Sequence, residues 1–141
     1  MEVLAHNQAV QDLIPQKFPF VMVDTLFSFS ESELISGLRV SDDNIFTVDG
    51  VFRESGLIEH MAQSVALHTG YQFFLKQEAA PTGYIGSVSS LTISELPEVG
   101  DEIVTKVAIL QEFGGITMVE IASSVNGSEI AKGQMKTVLA S

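Results

Sequence analysis

The order of hydrophobic periodicities along these 141 residues predicts an α+β fold, a curved antiparallel sheet wrapped around one long helix. Three observations carry that expectation. Residues Ser55 to Lys76 hold apolar side chains at three- and four-residue spacing. Two alternating segments precede this stretch, and four more follow it between turn signals. A helix with so broad an apolar face needs cover on most sides, and a curved antiparallel sheet supplies it.

From the N-terminus, Ala9 to Ile14 reads as a short helix ended by Pro15. Pro15 and Pro19 keep Lys17-Phe18-Pro19-Phe20 out of regular structure, since proline lacks a donor and restricts the residue before it. Val21–Ser30 and Glu33–Val40 read as a strand pair, with Ser32 in the connection. Ser41 to Glu54 is a polar, Asp-rich loop that nevertheless carries Ile45, Phe46, Val48, Val51 and Phe52. Such a loop folds over a pocket or a partner. In the helix, Leu57, Ile58, Met61, Ala62, Val65, Ala66, Thr69 and Phe73 share one face. Ser55 is the expected N-cap, and Glu59 lies near the first turn, where the helix dipole favours an anion. Thr82–Ser94, Glu102–Phe113, Ile116–Val125 and Glu129–Leu139 then alternate as strands. They are separated by Pro97 to Asp101, by Gly114-Gly115 and by the hairpin signal Asn126-Gly127.

Composition narrows the partners. Eighteen acids against seven bases give a net charge of −11, and the bases are scattered, so neither nucleic acid nor an anionic membrane surface is an expected partner. Without cysteine there is no disulfide or thiolate chemistry. The N-terminal residues lack the basic start and apolar core of a signal peptide, and no apolar run reaches the roughly 20 residues of a membrane span, so a soluble cytoplasmic protein is expected. Apolar residues at 45% lean toward an oligomer that covers the surplus.

Several stretches resemble the bacterial 3-hydroxyacyl-[acyl-carrier-protein] dehydratases. Leu13-Ile14-Pro15-Gln16-Lys17-Phe18-Pro19-Phe20-Val21-Met22-Val23-Asp24 resembles that family's opening Leu-Pro-His-Arg-Tyr-Pro-Phe-Leu-Leu-Val-Asp. Glu59-His60-Met61-Ala62-Gln63 matches its Glu-Ala-Met-Ala-Gln at four of five positions, and Pro97-Glu98-Val99-Gly100-Asp101 resembles its Pro-Val-x-Pro-Gly-Asp turn. The resemblance runs in order over nearly the whole chain and implies a single hotdog domain spanning residues 1–141. One departure is central. The family's loop His-Phe-Pro-Gly carries the general base, and counting back from Gln63 without gaps puts Ile45 in the place of that His. Phe46 falls on the Phe, Thr47 and Val48 on the Pro and Gly, and no His lies between His6 and His60. In this the chain resembles a divergent branch associated with aryl-polyene-type pathways.

The resemblance implies an acyl thioester substrate, carried on acyl carrier protein, and no cofactor or metal. Dehydration removes an α-proton and protonates the departing hydroxyl, so it needs a base and an acid. Glu59, at the edge of the apolar stripe, is the expected catalytic acid; the bland reading is a helix-start carboxylate meeting the dipole. Gln63, one turn on, is expected to orient Glu59 or bond the thioester, and Gly56 to offer substrate a backbone N–H at the helix start. His60 points ~100° away from Glu59 and is read as partly exposed or at an interface. His68 is read as a satisfied core or interface histidine, and Gly70 as a packing glycine. Met22, Met61, Met118, Phe73 and Phe74 are core or acyl-tunnel residues, and Arg53 meets either a carrier or Glu54.

Three functions compete. The first is a dehydratase of fatty-acid or polyene biosynthesis, paired with itself as a homodimer. In the second, because the family's dimers draw His and Glu of each site from opposite subunits, the chain is a non-autonomous subunit paired with a His-bearing hotdog relative rather than with itself. The third is an acyl-thioester hydrolase, since one fold hosts several chemistries.

Overall fold

A computed structural model describes residues 2–81 and 83–139. In chain order the elements are β1 (Ala5–His6), α1 (Gln8–Gln11), β2 (Thr25–Phe29), β3 (Glu33–Arg39), β4 (Thr47–Val48) and β5 (Val51–Phe52). They continue with α2 (Glu54–Leu75), β6 (Gly83–Ile93), β7 (Glu102–Phe113), β8 (Ile116–Val125) and β9 (Ser128–Leu139). Seven strands form one antiparallel sheet in the order β1-β2-β3-β7-β8-β9-β6, while β4 and β5 make a separate small hairpin. The sheet curls around α2, which touches β3, β6, β7 and β8. This is the hotdog arrangement, an α+β fold.

The four strands after the helix lie within a residue or so of their expected bounds among the described residues, because alternation and turn chemistry agree there. Asn126 and Gly127 both adopt positive φ (52° and 79°), as the tight β8–β9 turn requires. The strand expected from Val21 is β2, and it starts at Thr25. Residues 20–22 direct their backbone groups at helix side chains instead: the Met22 N–H donates to Gln63 Oε1, and the carbonyls of Phe20 and Met22 accept from Gln63 and His60. β1 and the β4–β5 hairpin are two-residue strands, too short to leave a periodicity.

The helix departs from its expected pattern in two ways. Arg53, not Ser55, occupies the N-cap position, and no side chain caps that end. The start is set from outside, since Phe52 is buried and the Arg53 N–H bonds the Phe46 carbonyl. The buried face is also wider than an apolar stripe. Leu57, Met61 and Val65 are buried as expected, but so are His60, Gln63, Ser64 and His68. Ile58, Ala62, Ala66, Thr69 and Phe73 of the stripe stay only half-buried.

The buried polar groups are satisfied by one another. His60 Nδ1 lies 2.6 Å from the Met22 carbonyl, which can only accept, so Nδ1 carries the proton. Nε2, 2.7 Å from Thr105 Oγ1, therefore accepts from that hydroxyl, and Thr105 in turn accepts from Ser123 at 2.7 Å. Ser64 donates to the His60 carbonyl at 2.8 Å and so accepts from Ser36 at 2.7 Å. Side chains from β3, β7 and β8 thus converge on one turn of α2.

Gly70 is a packing glycine, as expected: a Cβ there would run into the Leu13 carbonyl. Gly70→Ala is expected to destabilise the chain by about 1–3 kcal/mol through overpacking, read as a lower urea midpoint with an unchanged slope. A midpoint equal to wild type would mean that the Leu13 loop moves aside freely.

Candidate functional site

Glu59 is half-buried and lines a cavity of about 290 Å³. One wall is the face of α2 bearing Glu59, Ala62, Val65, Ala66 and Thr69; Leu13, Pro15 and Gln16 form a second. Tyr84 and Ile85 of β6 face them at the sheet edge. Ala62, Ala66 and Thr69 belong to the half-buried part of the expected apolar stripe and look onto the cavity rather than into the core.

Gln63 holds the carboxyl in place. Its Oε1 accepts from the Met22 N–H at 2.6 Å, which fixes the amide orientation. Nε2 then donates to the Phe20 carbonyl at 2.9 Å and to Glu59 Oε2 at 2.8 Å. That bond engages Oε2 and leaves Oε1 as the oxygen free to meet another partner. Gln63 itself is fully buried and does not line the cavity.

The structure thus brings Glu59 and Gln63 together but sets Gly56 apart. Gly56 is buried under Phe46 and Phe52, 2.5 Å and 2.7 Å from where its Cβ would be, and is not among the lining residues. His60, expected to be partly exposed or at an interface, is instead fully buried. Burial pushes its pKa from 6.5 down to about 4, against the opposing pull of the Met22 carbonyl and of Asp24. His68 is a satisfied core histidine, 2.9 Å from the Ser30 carbonyl and tilted against Phe29 at 4.9 Å. Arg53 pairs with Glu54 at 3.4 Å on the surface. Met22 and Met61 are core residues, Phe74 is exposed, and none of the candidate Met and Phe residues lines the cavity.

Among the described lining residues there is no imidazole, and Glu59 is the lone carboxylate. Ile45, in the place of the resembling family's His, is 45% exposed. Its loop is ordered by Asn44, whose Oδ1 accepts from the Phe46 N–H at 2.9 Å while its Nδ2 contacts Met22 Sδ at 3.2 Å. Sequence reasoning passed over Gln16, which lines the cavity and stands where the resembling family's opening Leu-Pro-His-Arg has its His.

Known proteins resemble this chain in sequence and in fold. The 3-hydroxyacyl-[acyl-carrier-protein] dehydratase FabZ of Vibrio atlanticus is 27% identical over 137 residues, covering 90% of this chain and 88% of its own. A chain of the dehydratase heterocomplex ApeI:P from Xenorhabdus doucetiae superposes with a TM-score of 0.88 at 20% identity, over 94% of this chain and 91% of that one. A hypothetical thioesterase from Streptococcus pneumoniae, solved with coenzyme A, shares the fold at a TM-score of 0.64 and 9% identity, over 82% and 84% of the two chains. The family model of the ApeP dehydratase matches residues 8–140, and the chain therefore belongs to the ApeP-like dehydratase family.

Proposed function

We propose that this chain supplies the acid half of a dehydratase site for 3-hydroxyacyl thioesters carried on acyl carrier protein, with the base coming from a His-bearing hotdog partner. The observation that carries this reading is a cavity with one carboxylate, held by Gln63, and no imidazole among its described lining residues. In the reaction the partner's base removes a proton from C2. Glu59 gives its proton to the hydroxyl on C3, the C3–O bond breaks as C2=C3 forms, and water leaves. The proton on the base returns to Glu59 through solvent, which resets the pair.

The place for a partner is consistent with this. β6 ends the sheet, so one edge of its backbone is unpaired, and Tyr84, Ile85 and Val88 are exposed along it. Tyr84 and Ile85 also line the cavity, so a subunit docked on this edge stands beside Glu59. The Xenorhabdus doucetiae relative was solved as a heterocomplex, which supports a mixed pair over a homodimer.

Mixing tests this. The purified chain alone is expected to leave a 3-hydroxyacyl carrier-protein thioester unchanged, and enoyl product is expected on addition of the His-bearing relative. Full turnover by the chain alone would refute the half-site, and release of free thiol in place of enoyl product would mark a hydrolase.

A further inference from the structure

Met22 is held by α2 and not by the sheet. It lies ahead of β2, and among the described residues its N–H and carbonyl make no backbone–backbone hydrogen bond. Two helix side chains take that role. Gln63 Oε1 accepts from the Met22 N–H at 2.6 Å, and His60 Nδ1 donates to the Met22 carbonyl at 2.6 Å. Residues 60 and 63 are three apart on α2, so their side chains reach the same strip of chain. Met22, His60 and Gln63 are all fully buried, where a displaced N–H or carbonyl finds no water to replace its partner.

The grip on Met22 bears on Glu59. The Gln63 amide has two ends, and only its Nε2 end can donate to Glu59 Oε2, as it does at 2.8 Å. The Met22 N–H and the Phe20 carbonyl select that orientation, the first by donating to Oε1 and the second by accepting from Nε2. Both groups belong to the segment that His60 ties down. Releasing Met22 loosens the amide, and a turned amide would set its Oε1 against the carboxyl, acceptor against acceptor. His60 itself does not line the cavity; its Nε2 accepts from Thr105 in the core at 2.7 Å. The resembling Glu-Ala-Met-Ala-Gln motif has alanine in its place, so this strut belongs to the present chain.

We propose that His60 is a positioning residue for the acid: its Nδ1–H holds Met22, Met22 fixes the Gln63 amide, and the amide presents Glu59 to the cavity. This rests on Glu59 being the acid of the dehydratase site. His60 touches neither substrate nor the reacting atoms. It governs how often the carboxyl stands in reach of the C3 hydroxyl, and so acts on kcat rather than KM.

Two substitutions separate positioning from packing. His60→Asn places a nitrogen near the position of Nδ1 and keeps a donor for the Met22 carbonyl. His60→Gln reaches the position of Nε2 and keeps the contact with Thr105 instead. His60→Asn also leaves the larger gap, so packing alone favours His60→Gln. In the assembled two-subunit protein, kcat on a 3-hydroxyacyl carrier-protein thioester is expected to be about tenfold lower in His60→Gln than in His60→Asn, with similar KM. Urea midpoints are expected to run the other way. Should His60→Gln not fold, His60→Ala, which also lacks the donor for Met22, is compared with His60→Asn in its place. In the Glu59→Gln background the difference in kcat is expected to vanish. Equal kcat in the two His60 variants overturns the proposal, as does a difference that persists in the Glu59→Gln background, since His60 would then act by another route. Failure of the acid reading shows separately, as a wild-type rate in Glu59→Gln alone, and removes the proposal with it.

Discussion

Glu59→Gln is expected to lower kcat of the assembled dehydratase by about 10²–10⁴-fold, with KM nearly unchanged. Glutamine has the shape of glutamate, and its amide oxygen can take over the bond from Gln63 Nε2 that Glu59 Oε2 now accepts. Its amide nitrogen then faces the cavity, able to donate a hydrogen bond but not to give up a proton. Packing and substrate contact are thereby kept while the acid is removed. Steady-state rates on a 3-hydroxyacyl carrier-protein thioester, together with urea midpoints to show an intact fold, decide the matter. A wild-type rate in this variant would remove Glu59 from the chemistry.

A large loss of stability is expected between pH 6.5 and pH 4, and His60 is its source. The folded state keeps this imidazole neutral down to about pH 4, whereas the unfolded chain binds the proton from 6.5 downward. The contribution is therefore fully present above pH 6.5, falls as the pH drops and is gone near 4, a total of about 3 kcal/mol. The hydroxyl of Thr105 could turn to accept from a protonated Nε2, so a lost hydrogen bond is not the cause. The cause is the burial of a charge. Urea denaturation across this range should show a steeper decline for wild type than for His60→Asn, which keeps a donor near the Met22 carbonyl and does not titrate. Equal declines would place the acid sensitivity in other groups.

The sheet and the long helix were legible because local signals agreed with the tertiary answer, as with Asn126-Gly127 at a positive-φ turn. Glu59 was legible through its five-residue context and its position beside the stripe. His60 was not. Periodicity treats a polar residue as a surface residue, and the groups that satisfy His60 come from Met22, Thr105 and the helix turn after it, at separations that no pattern reveals. The stripe itself mixed two environments, with Leu57 and Met61 in the core but Ala62 and Ala66 on the cavity. Gln16 was missed for a related reason: what marks it is its place in the cavity wall, which becomes visible only once the walls are assembled.

The directed run of hydrogen bonds through His60 has a consequence for how such a sequence can diverge. The Met22 carbonyl fixes one end, so the donor and acceptor roles of His60 and Thr105 are already assigned, and Ser123 is left only the donor role toward Thr105. Exchanging Thr105 for serine respects its role, whereas valine strands Nε2 and leaves Ser123 without an acceptor there. Lineages can therefore leave this core more readily by replacing its members together than singly, so that the positions are inherited as a block. A descendant with an apolar residue at position 60 would carry apolar residues at 105 and 123 as well.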